Sequence, residues 1–304
     1  MYKLLKLNDF RQFKDMDISL GKRLTVLAGR NSTGKSTILG ILANSGELKK
    51  KDGTTYADGQ FRAEFSEIFH GSKKYDASGS DRIQIDIVDE NDDQIDYRKF
   101  RTAWQNDNGK DRFRVIPLKM LEDGKKTEAK MQIPVIYLGL SRLFPIGEAN
   151  EDKITTKKIK FIDDEQKQWF VEQYTQILSL YDTVTDVSNY SIGETDKKKG
   201  VGIETDKYDY LTNSSGQDNL GQILMAILSF KRLKKQREEW TGGLLLIDEI
   251  DATLHPAAQK RLIDLLTKEA KVNDIQVVVT THSSDLLKHI CNKTVHNNIN
   301  KNNP

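Results

Sequence analysis

The octapeptide GRNSTGKS at residues 29–36 has the spacing G-x-x-x-x-G-K-[ST], which suits the binding of a nucleoside triphosphate. A polyphosphate chain concentrates negative charge and needs many donors at close range. Gly29 and Gly34 let the backbone wrap so that consecutive N–H groups point inward, and the helix that follows contributes its positive N-terminal end. Lys35 is placed to reach the β- and γ-phosphates, and the Ser36 hydroxyl to ligate Mg²⁺. The bland alternative is a Gly-rich turn with no ligand. The apolar run before the loop and the helical spacing after it, at residues 37–43, argue against that.

A second cluster lies far along the chain. LLLIDEID, residues 244–251, reads as an apolar strand that delivers Asp248 and Glu249 at its C-terminal end. Opposite a phosphate loop, Asp248 would hold Mg²⁺, directly or through water, and Glu249 would orient the attacking water or accept its proton. Alone, such a strand is common, and its weight comes from the loop that precedes it. VVVTTHSSD puts His282 just past another buried strand, where an imidazole could meet the γ-phosphate and the water-orienting carboxylate. The alternative is a strand-end histidine bonded to backbone. NSSGQDN forms a small-residue turn in front of a helix, where amides and hydroxyls make a second anion site. Ser-Ser-Gly loops are frequent, so this motif is weak by itself.

The elements that must position these groups follow from periodicity. Residues 3–7, 16–20 and 23–28 read as strands, and residues 81–138 as mainly β, with IQIDIV at 83–88 alternating strictly and IPVIYL at 133–138 nearly all apolar. A helix is predicted over residues 163–181, capped by Asp163 or Asp164, with Trp169, Tyr174, Ile177, Leu178 and Tyr181 along one side. That stripe reads as core, or else as a partner-docking face. Residues 182–213 are polar and rich in Gly and Lys, and read as ending in a loop. Further helices are expected at 220–237 and 257–271, and buried strands at 244–248 and 275–280. Continuous Val/Ile/Leu runs without alternation point to parallel strands covered on both faces. The fold class is α/β, a phosphate-loop NTPase with a mixed or parallel core sheet, an antiparallel β region and a helical lobe. It is divided as one head over residues 1–290 (a β-rich lobe at 1–140, an inserted region at 141–213, a second part at 214–290), with an Asn-rich tail at 291–304 expected to be disordered.

The chain has 304 residues, 37% hydrophobic and 30% charged, which excludes disordered, collagenous and disulfide-stapled classes. Lys and Arg number 47 against 45 Asp and Glu, too balanced to announce nucleic acid. The single cysteine, Cys291, excludes an internal disulfide and suits a reducing compartment. No apolar run approaches the roughly 20 residues needed to span a bilayer, and the N-terminus lacks a signal-peptide pattern. A cytoplasmic protein is expected, with no membrane partner.

In their order, GRNSTGKS, SSGQ, LLLIDEIDATLHP and TTHSSD resemble the ABC-type ATPases of the soluble branch that includes RecF, SMC and OLD-type proteins. LNDFRQFKDMDISLGKRLTVLAGRNSTGKST looks like the opening of that branch. YLGLSRLFPIGE, at residues 137–148, looks like a segment of the prokaryotic OLD-like ATPases associated with defence against phage. The resemblance implies that two heads pack head-to-tail, the phosphate loop of one facing the signature loop of the other, with ATP between. It makes Gly29, Arg30, Asn31, Ser32, Thr33, Gly34, Lys35 and Ser36 the Walker A loop, continued by Thr37. Ser214, Ser215, Gly216 and Gln217 become the signature, with Asn213 and Ser215 standing where transporter-like heads prefer Leu and Gly. Asp248 and Glu249 become Walker B, Asp251 part of the D-loop and His282 the switch histidine. Arg11 would lie near the nucleotide, or else occupy a surface strand. No glutamine is assigned to the Q-loop, neither Gln105 nor Gln132 having the context. The chain ends soon after His282, short of where such heads usually continue, and reads as a truncated or frameshifted product.

The expectation is therefore an ATP- and Mg²⁺-dependent ATPase, with Lys35, Glu249 and His282 catalytic and Ser36 and Asp248 on the metal. It would form a homodimer or higher homo-oligomer through its ATP sites, with an effector protein (nuclease or toxin) and DNA as further candidate partners. A non-catalytic nucleotide-gated scaffold for such an effector is the alternative. A transporter subunit fits less well, because the interval between Ser36 and Gly216 is long and β-rich and DEID replaces Asp-Glu-Pro-Thr. His255, before Pro256, reads as a turn residue. His70, His289, His296 and Cys291 have no metal-site spacing. The Lys runs at 49–51, 73–74, 153–160, 197–199 and 231–237 read as solvated faces, or as a DNA-binding surface formed when two heads join.

Overall fold

The computed structural model describes residues 1–89, 91, 93–121, 123–192 and 195–301. In chain order its elements are β1 (Tyr2–Leu7), β2 (Met16–Ser19), β3 (Leu24–Ala28), α1 (Lys35–Ala43), α2 (Phe65–Ile68), β4 (Gly79–Val88), β5 (Gln94–Asp107), β6 (Lys110–Met120), β7 (Lys126–Thr127), β8 (Val135–Leu138), β9 (Ile154–Lys158), α3 (Asp164–Leu178), β10 (Val184–Ile192), β11 (Thr195–Thr205), α4 (Ser215–Gln236), β12 (Gly243–Ile247), α5 (Pro256–Val272), β13 (Ile275–Thr281) and α6 (Ser284–Lys301). Single 3₁₀ turns join several of them.

The fold is α/β. A four-stranded parallel sheet, ordered β3-β13-β12-β8, brings the ends of β3, β12 and β13 to one side. Its apolar runs have a physical reason. Leu245, Ile247, Val277 and Val279 face one core, built around α4 with α3 and α5, whereas Leu244, Leu246 and Val278 face a second core shared with α1 and β1. A strand buried on both faces has no polar side to alternate with. The second core is roofed by a six-stranded antiparallel sheet, β2-β1-β4-β5-β6-β7. Helix α1, apolar nearly all round, lies between the two sheets and is buried along its length.

The expected strands and helices are found with small shifts, and three departures stand out. Residues 182–213, expected to end in a loop, form the β10–β11 hairpin, part of a three-stranded sheet ordered β11-β10-β9. The glycines that suggested a loop are there for contact. A Cβ on Gly200 would lie 1.9 Å from the Tyr190 ring, and one on Gly202 would lie 2.3 Å from Tyr210. Residues 193 and 194, within the hairpin, lie outside the described residues. The second difference is α4, which starts at Ser215 rather than Leu220. Ser214 and Gln217 form a capping box, each side chain bonded to the other's backbone N–H.

Helix α3 is capped by Asp163, which accepts from the Gln166 N–H at 2.8 Å. It ends at Leu178 because Ser179 turns left-handed. Of the expected stripe, Tyr174 and Ile177 are buried, while Tyr181 lies past the helix and is fully exposed. Of the tail expected to be disordered, α6 covers residues up to Lys301, and residues 302–304 lie outside the described residues.

Candidate functional site

Strand β3 ends where the glycine-rich loop begins, and the loop closes on α1. Gly34 is the N-cap, with φ +88°. A Cβ there would sit 2.2 Å from Gln12 Nε2 and 2.3 Å from the Phe13 ring, so both backbone and packing demand glycine. Ser32 is also left-handed, with φ +62°. The Thr33 hydroxyl donates to the Arg30 carbonyl at 2.9 Å. Lys35 Nζ, nearly buried, donates to the Gly29 and Arg30 carbonyls, both at 2.8 Å. The ammonium is thus already folded back over the cradle. Gly34→Ala is expected to lower stability by about 1–3 kcal/mol and to weaken nucleotide binding. Chemical denaturation and an ATP titration check this, and unchanged values for both would contradict the cradle.

Across the loop lies the end of β12. The cavity between them is about 330 Å³ and is lined by Gln12, Asn31, Ser32, Thr33, Gly34, Lys35, Ser36, Thr37, Phe69, Asp248, Glu249 and His282. Asp248 is buried, and its Oδ1 accepts from the Thr280 hydroxyl at 2.6 Å. The same hydroxyl accepts from the Glu249 N–H at 2.7 Å. Glu249 is half-exposed and left-handed, with φ +48°, a conformation that is costly for a residue with a Cβ. His282 Nε2 stands 3.9 Å from Glu249 Oε1. Its backbone N–H and the Thr281 hydroxyl both bond Asp251 Oδ1, at 3.3 and 2.5 Å, fixing the turn that carries the imidazole. Burial, and next the charge of Asp248, push the Tyr137 phenol up.

Several expectations change. Arg11 does not line the cavity. It is left-handed, pairs with Asp76 at 3.0 and 3.3 Å, and lies over the Phe10, Phe65 and Phe69 rings. Its neighbour Gln12 lines the loop instead. Gln105 lies in β5 of the antiparallel sheet, and Gln132 just before β8. Gln60 lines a cleft of about 820 Å³ that adjoins the cavity at Ser36 and Asp248. Among the described residues, none of Ser214, Ser215, Gly216 and Gln217 lines the phosphate cavity. Ser214, Gly216 and Gln217 open instead on a depression beside Thr253, Leu254 and His255. Gly216 is required there, since a Cβ would lie 2.6 Å from the Thr253 carbonyl. Buried Asn213 bonds both the N–H and the C=O of Ile203, and buried Asp218 accepts from the Val201 N–H. The β11 edge is thereby docked on the start of α4, which accounts for the buried polar residue at position 213. His255 is a turn residue: it caps α5, its Nδ1 accepting from the Ala257 N–H.

Sequence reasoning missed Thr280. The signal for Thr280 was available, because Thr280 and Thr281 are polar residues at the end of an apolar strand and are fully buried. Members of the basic runs are paired with carboxylates: Lys73 with Asp111, Lys157 with Asp58, Lys158 with Asp186, Lys231 with Glu269, Lys234 with Asp274, and Lys235 with Asp163 and Glu165.

A glycine-rich loop wrapped on a helix N-terminus, facing an Asp-Glu strand end on a parallel sheet, defines the class of phosphate-loop NTPases. The sequence profile of the AAA ATPase domain family matches residues 1–95 and 125–287, and the chain belongs to that family. In fold it is similar to an SMC head solved in complex with the C-winged helix domain of ScpA, with TM-score 0.50 and 20% identity over 95% of this chain and 91% of that one. The SMC head domain from Thermotoga maritima aligns with TM-score 0.45 and 15% identity, over 95% of this chain and 91% of that one. The recombination mediator protein RecF, in an ATP form, gives 0.43 and 12%, over 93% and 92%. An uncharacterized protein of Methanocaldococcus jannaschii is 44% identical over 46 residues, 15% of this chain and 40% of that relative's length. Among the described residues, no helix is long and apolar enough to cross a membrane.

Proposed function

We propose that this chain is a head that binds and hydrolyses ATP with Mg²⁺, and that two heads close head-to-tail around the nucleotides. One observation carries this reading: the two halves of the machinery lie apart within one chain. Lys35, Asp248, Glu249 and His282 share one cavity, while Ser214, Gly216 and Gln217 open on another surface. A signature loop that does not reach its own cradle serves that of a second copy.

The donor set fits Mg·ATP. The loop amides and Lys35 meet the phosphates, the ammonium exchanging its carbonyl partners for phosphate oxygens. The Ser36 hydroxyl and the Asp248 carboxylate would hold Mg²⁺, which neutralises charge on the phosphates. Glu249 orients a water on the γ-phosphate and takes its proton. As the new P–O bond forms, the bond to the β-phosphate oxygen breaks, giving ADP and phosphate. His282, beside Glu249, donates to the γ-phosphate.

The role we assign is in a cytoplasmic anti-phage defence or DNA-maintenance complex of OLD-like type, gating a nuclease or toxin. The OLD-like segment at residues 137–148 supports it. The SMC head bound to the winged-helix domain of ScpA is a precedent for a protein partner. Lys73, Lys157 and Lys234 are paired with carboxylates, which lowers the free positive charge these runs could offer to DNA.

Ser215→Arg tests the composite site. It should leave ATP binding by the single head intact while lowering turnover by about 10-fold or more, because a bulky cation blocks the closing surface. Steady-state hydrolysis beside a binding titration decides it, and turnover at the parental rate would refute the composite site.

A further inference from the structure

Arg142 is almost completely buried, in the 3₁₀ turn Leu140–Leu143 that follows β8. A buried guanidinium is costly unless its donors are engaged, and these are. Nη1 donates to the Leu138 and Gly139 carbonyls at 3.1 and 3.0 Å. Nε donates to Asn219 Oδ1 at 2.8 Å. Nη2 donates to the Glu249 carbonyl at 2.9 Å. Burial lowers its pKa to about 10, with the charges of Asp248, Tyr137, Glu249 and Asp218 opposing, so it keeps its charge at neutral pH.

Two consequences follow from these partners. The backbone of Glu249 is gripped on both sides, its N–H by Thr280 and its C=O by Arg142 and by the Ala252 N–H at 3.1 Å, and the residue between is left-handed. The second partner, Asn219, is fully buried in α4, five residues beyond the helix cap Ser214. Its Nδ2 donates to the Ala252 carbonyl at 3.0 Å and to the Thr253 hydroxyl at 3.3 Å. Arg142 and Asn219 thus join the end of β8, the turn that carries Glu249, and the helix that begins with the signature loop.

We infer that Arg142 is a positioning residue for hydrolysis, holding the Glu249 backbone in the conformation that aims its carboxylate into the cavity and locking that turn to the signature helix. The inference rests on the reading of Glu249 as the water-orienting carboxylate. It makes the signature that serves one nucleotide and the carboxylate that serves the other move as one body. A residue that acts only through the Glu249 backbone should affect turnover and leave ground-state binding of ATP alone.

Arg142→Ala is the test, read as ATP affinity and turnover separately, with thermal melting to verify folding. The side chain lines a cleft of about 230 Å³, through which a small cation can enter the space vacated. Affinity should stay within about 2-fold while kcat falls about 10²-fold, the scale of a small misplacement of a reacting group. Added guanidinium at tens of millimolar should restore several-fold activity to the variant and none to the parent. Arg142→Lys, which keeps a cation but cannot span the same partners, should show the same split without the rescue. Parental turnover would overturn the proposal, and so would equal losses of affinity and turnover without rescue. Failure of both variants to fold would make Arg142 a stability strut and also overturn it. Glu249→Gln, measured alongside, separates the two readings. Normal turnover there defeats the catalytic assignment itself, whereas an inactive Glu249→Gln beside a parental Arg142→Ala defeats only the positioning role.

Discussion

Lys35→Ala is expected to lose about 100-fold or more in ATP affinity. The ammonium is nearly buried within the loop and held by the Gly29 and Arg30 carbonyls, so it sits close to where the phosphates must lie. Charge-assisted bonds to two phosphate groups together contribute about 3 kcal/mol in a partly desolvated cradle. Among the described residues, no other lysine or arginine lines the cavity. Arg30 starts on the solvent side of the loop, and Arg11 is committed to Asp76. The measurement is a titration with Mg·ATP, with melting in the absence of nucleotide as the folding check. Parental affinity in a folded variant would reject the phosphate-loop assignment.

Glu249→Gln should separate binding from chemistry. The amide is nearly isosteric and still bonds water, but it is neither a base nor a full negative charge. Asp248, its hydroxyl partner Thr280 and the loop are untouched, so Mg·ATP binding should survive. Turnover should fall roughly 100-fold, about 3 kcal/mol in the barrier. The backbone groups of this left-handed residue bond Thr280, Arg142 and the Ala252 N–H, and its side chain takes no part in those bonds. The substitution therefore leaves the geometry in place. Steady-state phosphate release measures it, and turnover within a few-fold of the parent would mean that Glu249 is only a strand-end carboxylate.

Much of this site was legible because phosphate chemistry constrains local spacing. A loop that must cradle phosphates needs glycines at fixed offsets, and a strand buried on both faces must be apolar until its last residues. Hence β3, α1 and β12 were read nearly to the residue, with Asp248 and Glu249 at the correct end. What escaped depends on distant partners. Gly200 and Gly202 look like loop residues until Tyr190 and Tyr210 are seen against them. Asn213 stands where transporter-like heads prefer leucine, and its bonds to Ile203 are invisible in any local pattern. Arg11 sits in an opening segment that suggested a nucleotide contact, and only the fold brings Asp76 and three phenylalanines around it. Arg142 lies in a segment read for its resemblance alone. Its partners at positions 219 and 249 meet only once the parallel sheet and α4 are packed.

Closure of two heads on ATP is tested most directly on Glu249→Gln by size-exclusion chromatography with light scattering. In the proposed cycle closure requires ATP and reopening requires hydrolysis, so a head that binds without hydrolysing should accumulate in the closed state. With Mg·ATP the variant should elute at the mass of a dimer or larger assembly. It should return to the single-chain mass, 34.7 kDa, when nucleotide is omitted or when Ser215→Arg is added. A Glu249→Gln protein that binds Mg·ATP and stays at the mass of one chain would contradict the account.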